Sequence, residues 1–230
     1  MTVHSRRNAV GERTMTLKAV PFFTQLSDLE LDIVRAVAVE KSYPKSAVVL
    51  TEGEMGDSLY MIQSGKVKVF IGDEDGREII LKILGPGDFF GEMSMIDKQP
   101  RSASVTTLEP ATFHILSHNA FEECVHRAPK IANVVMRILA QRVREADRKI
   151  GTLALMDVYG RVASTLLELA VYNNGKLMVG EKLSQQDLAN MVGASREMVN
   201  RILKDLSDRG FIAVESKSIT IINRELPPSL

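Results

Sequence analysis

Cysteine is nearly absent: Cys124 is the only one among 230 residues. That excludes an internal disulfide and any cysteine-only iron–sulfur or zinc site, and leaves Cys124 as a small apolar residue for an amphipathic helix. Net charge is absent too, since 29 Lys and Arg balance 29 Asp and Glu. No global basic field announces nucleic acid, so any DNA contact has to come from a local patch. Long apolar runs are missing as well; no window approaches the length that spans a bilayer. Residues 1–14 carry Arg6, Arg7 and Arg13 but no apolar segment. They read as a flexible polar tail, neither signal peptide nor membrane anchor, and the protein is expected in the cytoplasm. Residues 157–230 hold no histidine, no cysteine and no phosphate-cradling glycine loop. A catalytic C-terminal half is therefore not expected, and the chain does not read as an enzyme or as the regulatory part of one.

What is present is organised in blocks. Lys18 to Val39 reads as short helices with Phe22, Phe23, Leu26, Leu29, Leu31, Ile33 and Val34 on the apolar side. Ser27 and Glu30 form a capping-box pair there. From Lys41 to about Ser117 short alternating runs take over, among them Ala47–Leu50, Ser58–Ile62, Lys66–Ile71 and Arg77–Lys82. Turns rich in Gly and Asp separate them, which argues an antiparallel sandwich or barrel.

One stretch, Phe90-Gly91-Glu92-Met93-Ser94 to Pro100-Arg101-Ser102-Ala103, interrupts this β region. Gly91 permits positive φ or a close backbone approach. Arg101 offers a planar fork of donors suited to a phosphate, with the Ser102 hydroxyl and N–H beside it. Glu92 only accepts hydrogen bonds, which suits a sugar hydroxyl and would repel a phosphate. Residue chemistry alone fits equally a surface turn with an ordinary Glu–Arg ion pair.

Asn119–Val125 is a short helical pattern, and Pro129 then opens a helix that runs to about Met156. Ala132, Met136, Leu139, Val143, Ala146, Ile150 and Leu153 alternate gaps of four and three, the spacing of a coiled-coil seam. The other positions, including Arg142, Arg144, Glu145, Asp147, Arg148 and Lys149, read as solvated faces. A homodimer seam and a helix packed into its own core both fit this spacing. Residues 155–160 look like a junction, Arg161–Val171 like another amphipathic helix, and Asn173–Gly175 like a turn.

The second informative stretch is Ser184 to Leu206. Ser184 and Asp187 cap one helix, Gly193 ends it, and Ser195 caps the next. Leu188, Ala189 and Val192 face Val199, Ile202, Leu203 and Leu206, so the pattern is a helix-turn-helix. Its second helix exposes Arg196, Glu197, Asn200, Arg201 and Lys204. Arginine pairs with guanine, and a carboxylate accepts from cytosine N4, whereas phosphates would repel it. A plain helical hairpin with solvated charges is the alternative. Gly210–Glu215 and Ser218–Ile222 fit a β-hairpin wing with Lys217 in its turn, placed to touch phosphate.

Both stretches, in this order and joined by this helix, resemble the CRP/FNR superfamily of bacterial transcription regulators, specifically its cAMP receptor protein branch. The likeness runs from about Thr16 to Ile222. It is most specific at Phe90-Gly91-Glu92, Pro100-Arg101-Ser102-Ala103 and Gly193-Ala194-Ser195-Arg196-Glu197-Met198-Val199-Asn200-Arg201-Ile202-Leu203. The resemblance implies an α+β chain: an N-terminal cyclic-nucleotide-binding β-roll of the jelly-roll kind at 15–128, a dimerisation helix and hinge at 129–156, and a winged helix-turn-helix at 157–230. It implies a ligand set of Gly91, Glu92, Met93, Ser94, Arg101, Ser102, Ala103, Arg142, Ala146 and Asp147, with Glu92 on the ribose 2′-hydroxyl and Arg101 and Ser102 on the cyclic phosphate. The DNA set is Ser184, Gln185, Ser195, Arg196, Glu197, Asn200, Arg201, Lys204 and Lys217, with Arg196, Glu197 and Arg201 reading a half-site like the family's TGTGA box. The implied partners are palindromic double-stranded DNA, a second copy of the chain and RNA polymerase. The implied effector is cAMP first, cGMP second or cyclic di-GMP, with no metal; ligand-independent DNA binding is the alternative.

One departure stands out. In the cAMP receptor protein a Thr-Ser pair contacts the adenine amino group, and the matching positions are Ala146 and Asp147. A carboxylate accepts once from adenine N6 but twice from guanine N1–H and N2–H. Asp147 thus weakens the case for adenine, unless it merely pairs with Arg144 or Arg148 on the surface.

Overall fold

The computed structural model describes residues 26–173, 175–179, 184–215, 218–223 and 226. The expectations for the N-terminal tail, for Phe22 and Phe23 and for Lys217 lie outside these described residues. Helix α1 (Asp28–Val37) starts on the expected capping box, with the Ser27 side chain and Glu30 bonding reciprocally. Leu31 and Val34 are buried, but Leu29 is 78% exposed and does not join the apolar side. It precedes Leu31 by two residues, which places it across the helix from the core stripe.

Eight strands follow: β1 (Val39–Tyr43), β2 (Val48–Leu50), β3 (Ser58–Ser64), β4 (Val67–Gly72), β5 (Glu78–Leu84), β6 (Phe89–Phe90), β7 (Ser104–Thr107) and β8 (Ala111–Ser117). They form two four-stranded antiparallel sheets, β1-β8-β3-β6 and β2-β7-β4-β5. Side chains alternate across a strand, and β3 uses both of its faces. Ile62 joins Leu50, Val67, Leu84, Phe90, Val105 and Phe113 between the sheets, while Leu59 and Met61 face the helices. Tyr60 stacks on Phe90 at 5.1 Å, and Phe90 meets Phe113 edge-on at 5.4 Å. This is the expected β-roll.

Helix α2 (Glu92–Asp97) interrupts the strands. Helices α3 (His118–Arg127) and α4 (Lys130–Leu155) come after β8. Cys124 is fully buried in α3, where burial pushes its thiol pKa up. The 26-residue α4 divides its length between the two readings of its spacing. Its first turns, through Ile131, Val134 and Val135, pack with α1 and α3 onto Leu59, Met61, Phe89 and Leu116. Farther along, Met136, Val143 and Ile150 stand 58%, 60% and 64% exposed.

Asp157 caps α5 (Val158–Leu169). The expected helix to Val171 stops two residues early. Ala170–Asn173 is strand β9, paired with β10 (Lys176–Val179) with Val171 opposite Met178. Cross-strand pairing of these β-branched and aromatic residues overrides the helical spacing. Helices α6 (Gln185–Val192) and α7 (Arg196–Asp208) then precede β11 (Ile212–Glu215) and β12 (Ser218–Ile221), which form the expected hairpin. Strand β12 also pairs with β10, so a third sheet runs β11-β12-β10-β9. Val162, Leu166, Leu188, Val192, Val199, Ile202, Leu206, Ile212 and Ile221 fill the core between this sheet and its helices. Helix α6 also lies against β5 of the β-roll.

Candidate ligand and nucleic-acid sites

The first site is built where β6 ends. Gly91 sits at φ +81°, and a Cβ there would lie 2.7 Å from the Ser58 carbonyl oxygen, so only glycine fits this turn. The loop before β3 runs beside Arg101: Arg101 N–H donates to Glu54 O at 2.8 Å, and Gly53 N–H donates to Arg101 O at 2.9 Å. Those bonds fix the backbone and turn the guanidinium inward, where it is only 6% exposed. Nη1 donates to Gly91 O at 2.6 Å and to Ser94 Oγ at 2.9 Å, and Nη2 donates to Ser58 O at 3.1 Å.

All three acceptors are neutral, and among the described residues no carboxylate forms an ion pair with Arg101. Burial lowers the guanidinium's pKa from its ordinary value, against smaller upward pulls from Tyr60, Asp57 and Glu92. Gly56 packs directly on it; a Cβ there would come within 2.5 Å of Nη2. Gly56 read in the sequence as turn punctuation, and its place against Arg101 is visible only in three dimensions.

The ordinary Glu92–Arg101 ion pair does not form. Glu92 is buried and takes its hydrogen bond from Arg142 Nη1 at 2.5 Å. Arg142 also donates to the Phe89 carbonyl and lies over the Phe89 ring at 4.5 Å. This corrects its assignment to a solvated face: it is a half-buried link from α4 to the Phe90–Ala103 stretch. Helical spacing carried no hint of a partner 50 residues away. Met93 is exposed, Ala103 is buried, and the Ser102 hydroxyl lies 3.5 Å from Met93 Sδ. Ala146 and Asp147 are exposed, and no salt bridge joins Asp147 to Arg144 or Arg148 among the described residues. Five residues beyond Arg142, Asp147 is turned roughly 140° away around the helix, off the face that meets its own β-roll.

The second site is the pair α6 and α7. Ser184 and Asp187 form a reciprocal capping box, Gly193 takes φ +64°, and Ser195 accepts from Met198 N–H. Tyr159 OH donates to Asp205 at 2.9 Å, and Arg161 Nε donates to the Val192 carbonyl at 2.8 Å, so α5 clamps both helices. Ser184, Gln185, Ser195, Arg196, Glu197, Arg201 and Lys204 are exposed. Of these, Arg196, Glu197, Arg201 and Lys204 form no ion pair among the described residues, so their charged ends are available. Asn200 differs from the exposed position expected of it: it is only partly exposed, and its Oδ1 is buried without a hydrogen-bond partner. Its register, between the buried Val199 and the exposed Arg201, turns that oxygen inward.

Among the described residues no helix is long and apolar enough to cross a membrane, and no group of three or more His, Cys, Asp or Glu could hold a metal ion. A β-roll with a cationic pocket, a long helix and a helix-turn-helix with a free basic face define a class: a DNA-binding transcription regulator gated by a ligand. The cyclic nucleotide-binding domain family matches residues 40–128, and the Crp-like helix-turn-helix domain family matches residues 160–226. The CRP-like cAMP-activated global transcriptional regulator of Mycobacterium tuberculosis is 41% identical over 187 residues, 80% of this chain and 84% of that one. The cyclic AMP receptor protein of Thermus thermophilus is 32% identical over 89% of this chain and 94% of its own. Among solved structures, the Xanthomonas campestris regulator CLP, described as responsive to c-di-GMP, superposes with a TM-score of 0.75 at 27% identity, covering 85% of this chain and 99% of that one. The chain belongs to the CRP/FNR family of transcription regulators, whose members are not enzymes.

Proposed function

We infer that the chain is a homodimeric regulator whose DNA binding answers to a 3′,5′-cyclic mononucleotide, cAMP first and cGMP second, and that it works in the cytoplasm. The buried Arg101 guanidinium carries this reading: its hydrogen bonds go to neutral oxygens alone, and among the described residues no ion-paired carboxylate brings a negative charge into contact with it. An anionic cyclic phosphate would supply that charge, with the Ser102 hydroxyl beside it. Glu92, buried and acceptor-only, would take the ribose 2′-hydroxyl while remaining linked to Arg142 on α4. The names of the relatives support cAMP. Asp147 supports a guanine base, presented across the dimer by the partner subunit's Asp147, and CLP supports cyclic di-GMP as the second reading.

The residue ranges follow the roles: 15–128 for the ligand, 129–156 for dimerisation and hinge, 157–230 for DNA. Paired recognition helices would enter successive major grooves of a palindrome, with Arg196, Glu197 and Arg201 on base edges and RNA polymerase as a further partner. The ligand acts only through its different affinity for two arrangements of the long helices and DNA-binding heads.

The test is Arg101→Gln, read by calorimetric titration with cAMP, cGMP and cyclic di-GMP and by effector-dependent DNA binding. Losing two or more charge-assisted bonds weakens the effector about a hundredfold or more. DNA binding without effector stays as in wild type, which also shows that the variant folds. Unchanged effector binding in a folded Arg101→Gln protein would remove the Phe90–Ala103 stretch from the site.

A further inference from the structure

On β5 the register with β4 shifts between Ile80 and Lys82, so Lys82 lies opposite Val69, on the same face as Leu84, which is 2% exposed and packs between the sheets. Lys82 is thus a lysine on the apolar face of a strand, and its ammonium emerges at the surface of α4. There its Nζ donates to Glu145 Oε2 at 2.7 Å. Glu145 lies three residues after Arg142, on the same helix face and roughly one turn farther along. Arg142 is the residue that holds Glu92. Lys82, Arg142 and Glu145 share the lining of one cavity of about 230 Å³ with Phe89, Asp88 and Gln141. Arg142 borders both this cavity and Glu92, so with the sugar at Glu92 the base would enter the cavity past Arg142, toward Lys82.

The two members of the ion pair are not equally free to read that base. Both Glu145 oxygens are engaged, Oε1 by Gln141 Nε2 at 2.9 Å and Oε2 by Lys82. Lys82 has three N–H donors, and this bond uses one. What the pair offers to a ligand is therefore a donor. Resting on the reading of Glu92 and Arg101 as a cyclic-nucleotide site, we propose that Lys82, aimed by Glu145 in the adjoining cavity, is a specificity-determining residue that donates to an acceptor at position 6 of the purine. The contact raises the affinity of oxo-purines relative to that of adenine and so narrows the preference for cAMP, because adenine's position 6 carries an amino group that meets the ammonium donor to donor.

This contact is separable from the one assigned to Asp147. Guanine and hypoxanthine share O6 and N1–H, and only guanine has the 2-amino group. The experiment is calorimetric titration of the full-length protein with cAMP, cGMP and cyclic IMP, in wild type, Lys82→Met and Lys82→Arg. Lys82→Met lowers the affinity ratio of cyclic IMP to cAMP about tenfold or more, the worth of one hydrogen bond to a charged group. Lys82→Arg, which keeps a donor, restores most of that ratio. The ratio of cGMP to cyclic IMP, which reports the 2-amino group, stays the same in all three proteins. A parallel loss for all three nucleotides in Lys82→Met would make the pair a strut between strand and helix and overturn the proposal. Unchanged ratios would overturn it equally. Wild type binding none of the three would bring down the cyclic-mononucleotide reading and this proposal with it, whereas wild type binding with unchanged ratios removes only the role of Lys82.

Discussion

Arg101 and His114 are both ionisable side chains taken out of water, and they meet the cost in opposite ways. Arg101 keeps its proton and gathers three oxygens around it. His114, on β8, is 5% exposed and its Nε2 has no partner. Burial pushes its pKa below the ordinary value of 6.5, against a smaller upward pull from Glu40 across the sheet. A depressed histidine pKa means the unfolded chain takes up the proton first as pH falls. Stability from this group is then full above about pH 6.5 and is lost on acidification down to the folded-state value. The thermal midpoint of wild type should drop between about pH 7.5 and 5.5, and His114→Phe should flatten that slope. Parallel curves for the two proteins would mean that His114 is not the group responsible. At this scale the sequence was legible where chemistry is local, as at Gly91 and Arg101. It was silent where the partner is remote: Arg142 with Glu92, Lys82 with Glu145, and Gly56 with Arg101.

Elements follow the sequence most closely where their ends are marked by side chains that satisfy free backbone groups. Ser184 with Asp187, Gly193 and Ser195 bound α6 and α7 as their spacing predicts, because each answers a hydrogen-bond need set within four residues. Strand β9 is the counter-example, since its pairing with β10 and through it with β12 joins residues up to about fifty positions away. The Gly193 turn can be tested directly. Its φ is +64°, and an added Cβ would meet nothing closer than Leu153 Cδ2 at 3.8 Å. Space is available, so Gly193→Ala should lose only the left-handed penalty of about 1–2 kcal/mol. Gly193→Asn should recover part of it, because asparagine tolerates this conformation. Denaturant midpoints of the two variants check the order; equal losses would point to a steric cause instead.

For the whole molecule, the open question of α4 is what covers its second half. Ile131, Val134, Val135 and Ile138 turn toward the chain's own β-roll. Met136, Val143 and Ile150 recur every seven residues, and Met136 stands roughly 200° around the helix from Ile138. They form a stripe 58–64% exposed. A second copy laid along it would bury the same three side chains twice by symmetry, each worth about 1.5–3 kcal/mol. Val143→Asp sets two carboxylates against each other at the middle of that seam while leaving the ligand-domain core untouched. Sedimentation should find wild type as a dimer and Val143→Asp as a monomer that still melts cooperatively and still binds effector. Its affinity for a two-half-site palindrome should fall toward that for a single half-site, because the second recognition helix is no longer delivered one DNA turn away. A Val143→Asp protein that sediments as a dimer would put the subunit contact elsewhere. Asp147 would then lose its route to the partner's ligand, and the base would have to be read from within one chain, by Lys82 as Glu145 aims it.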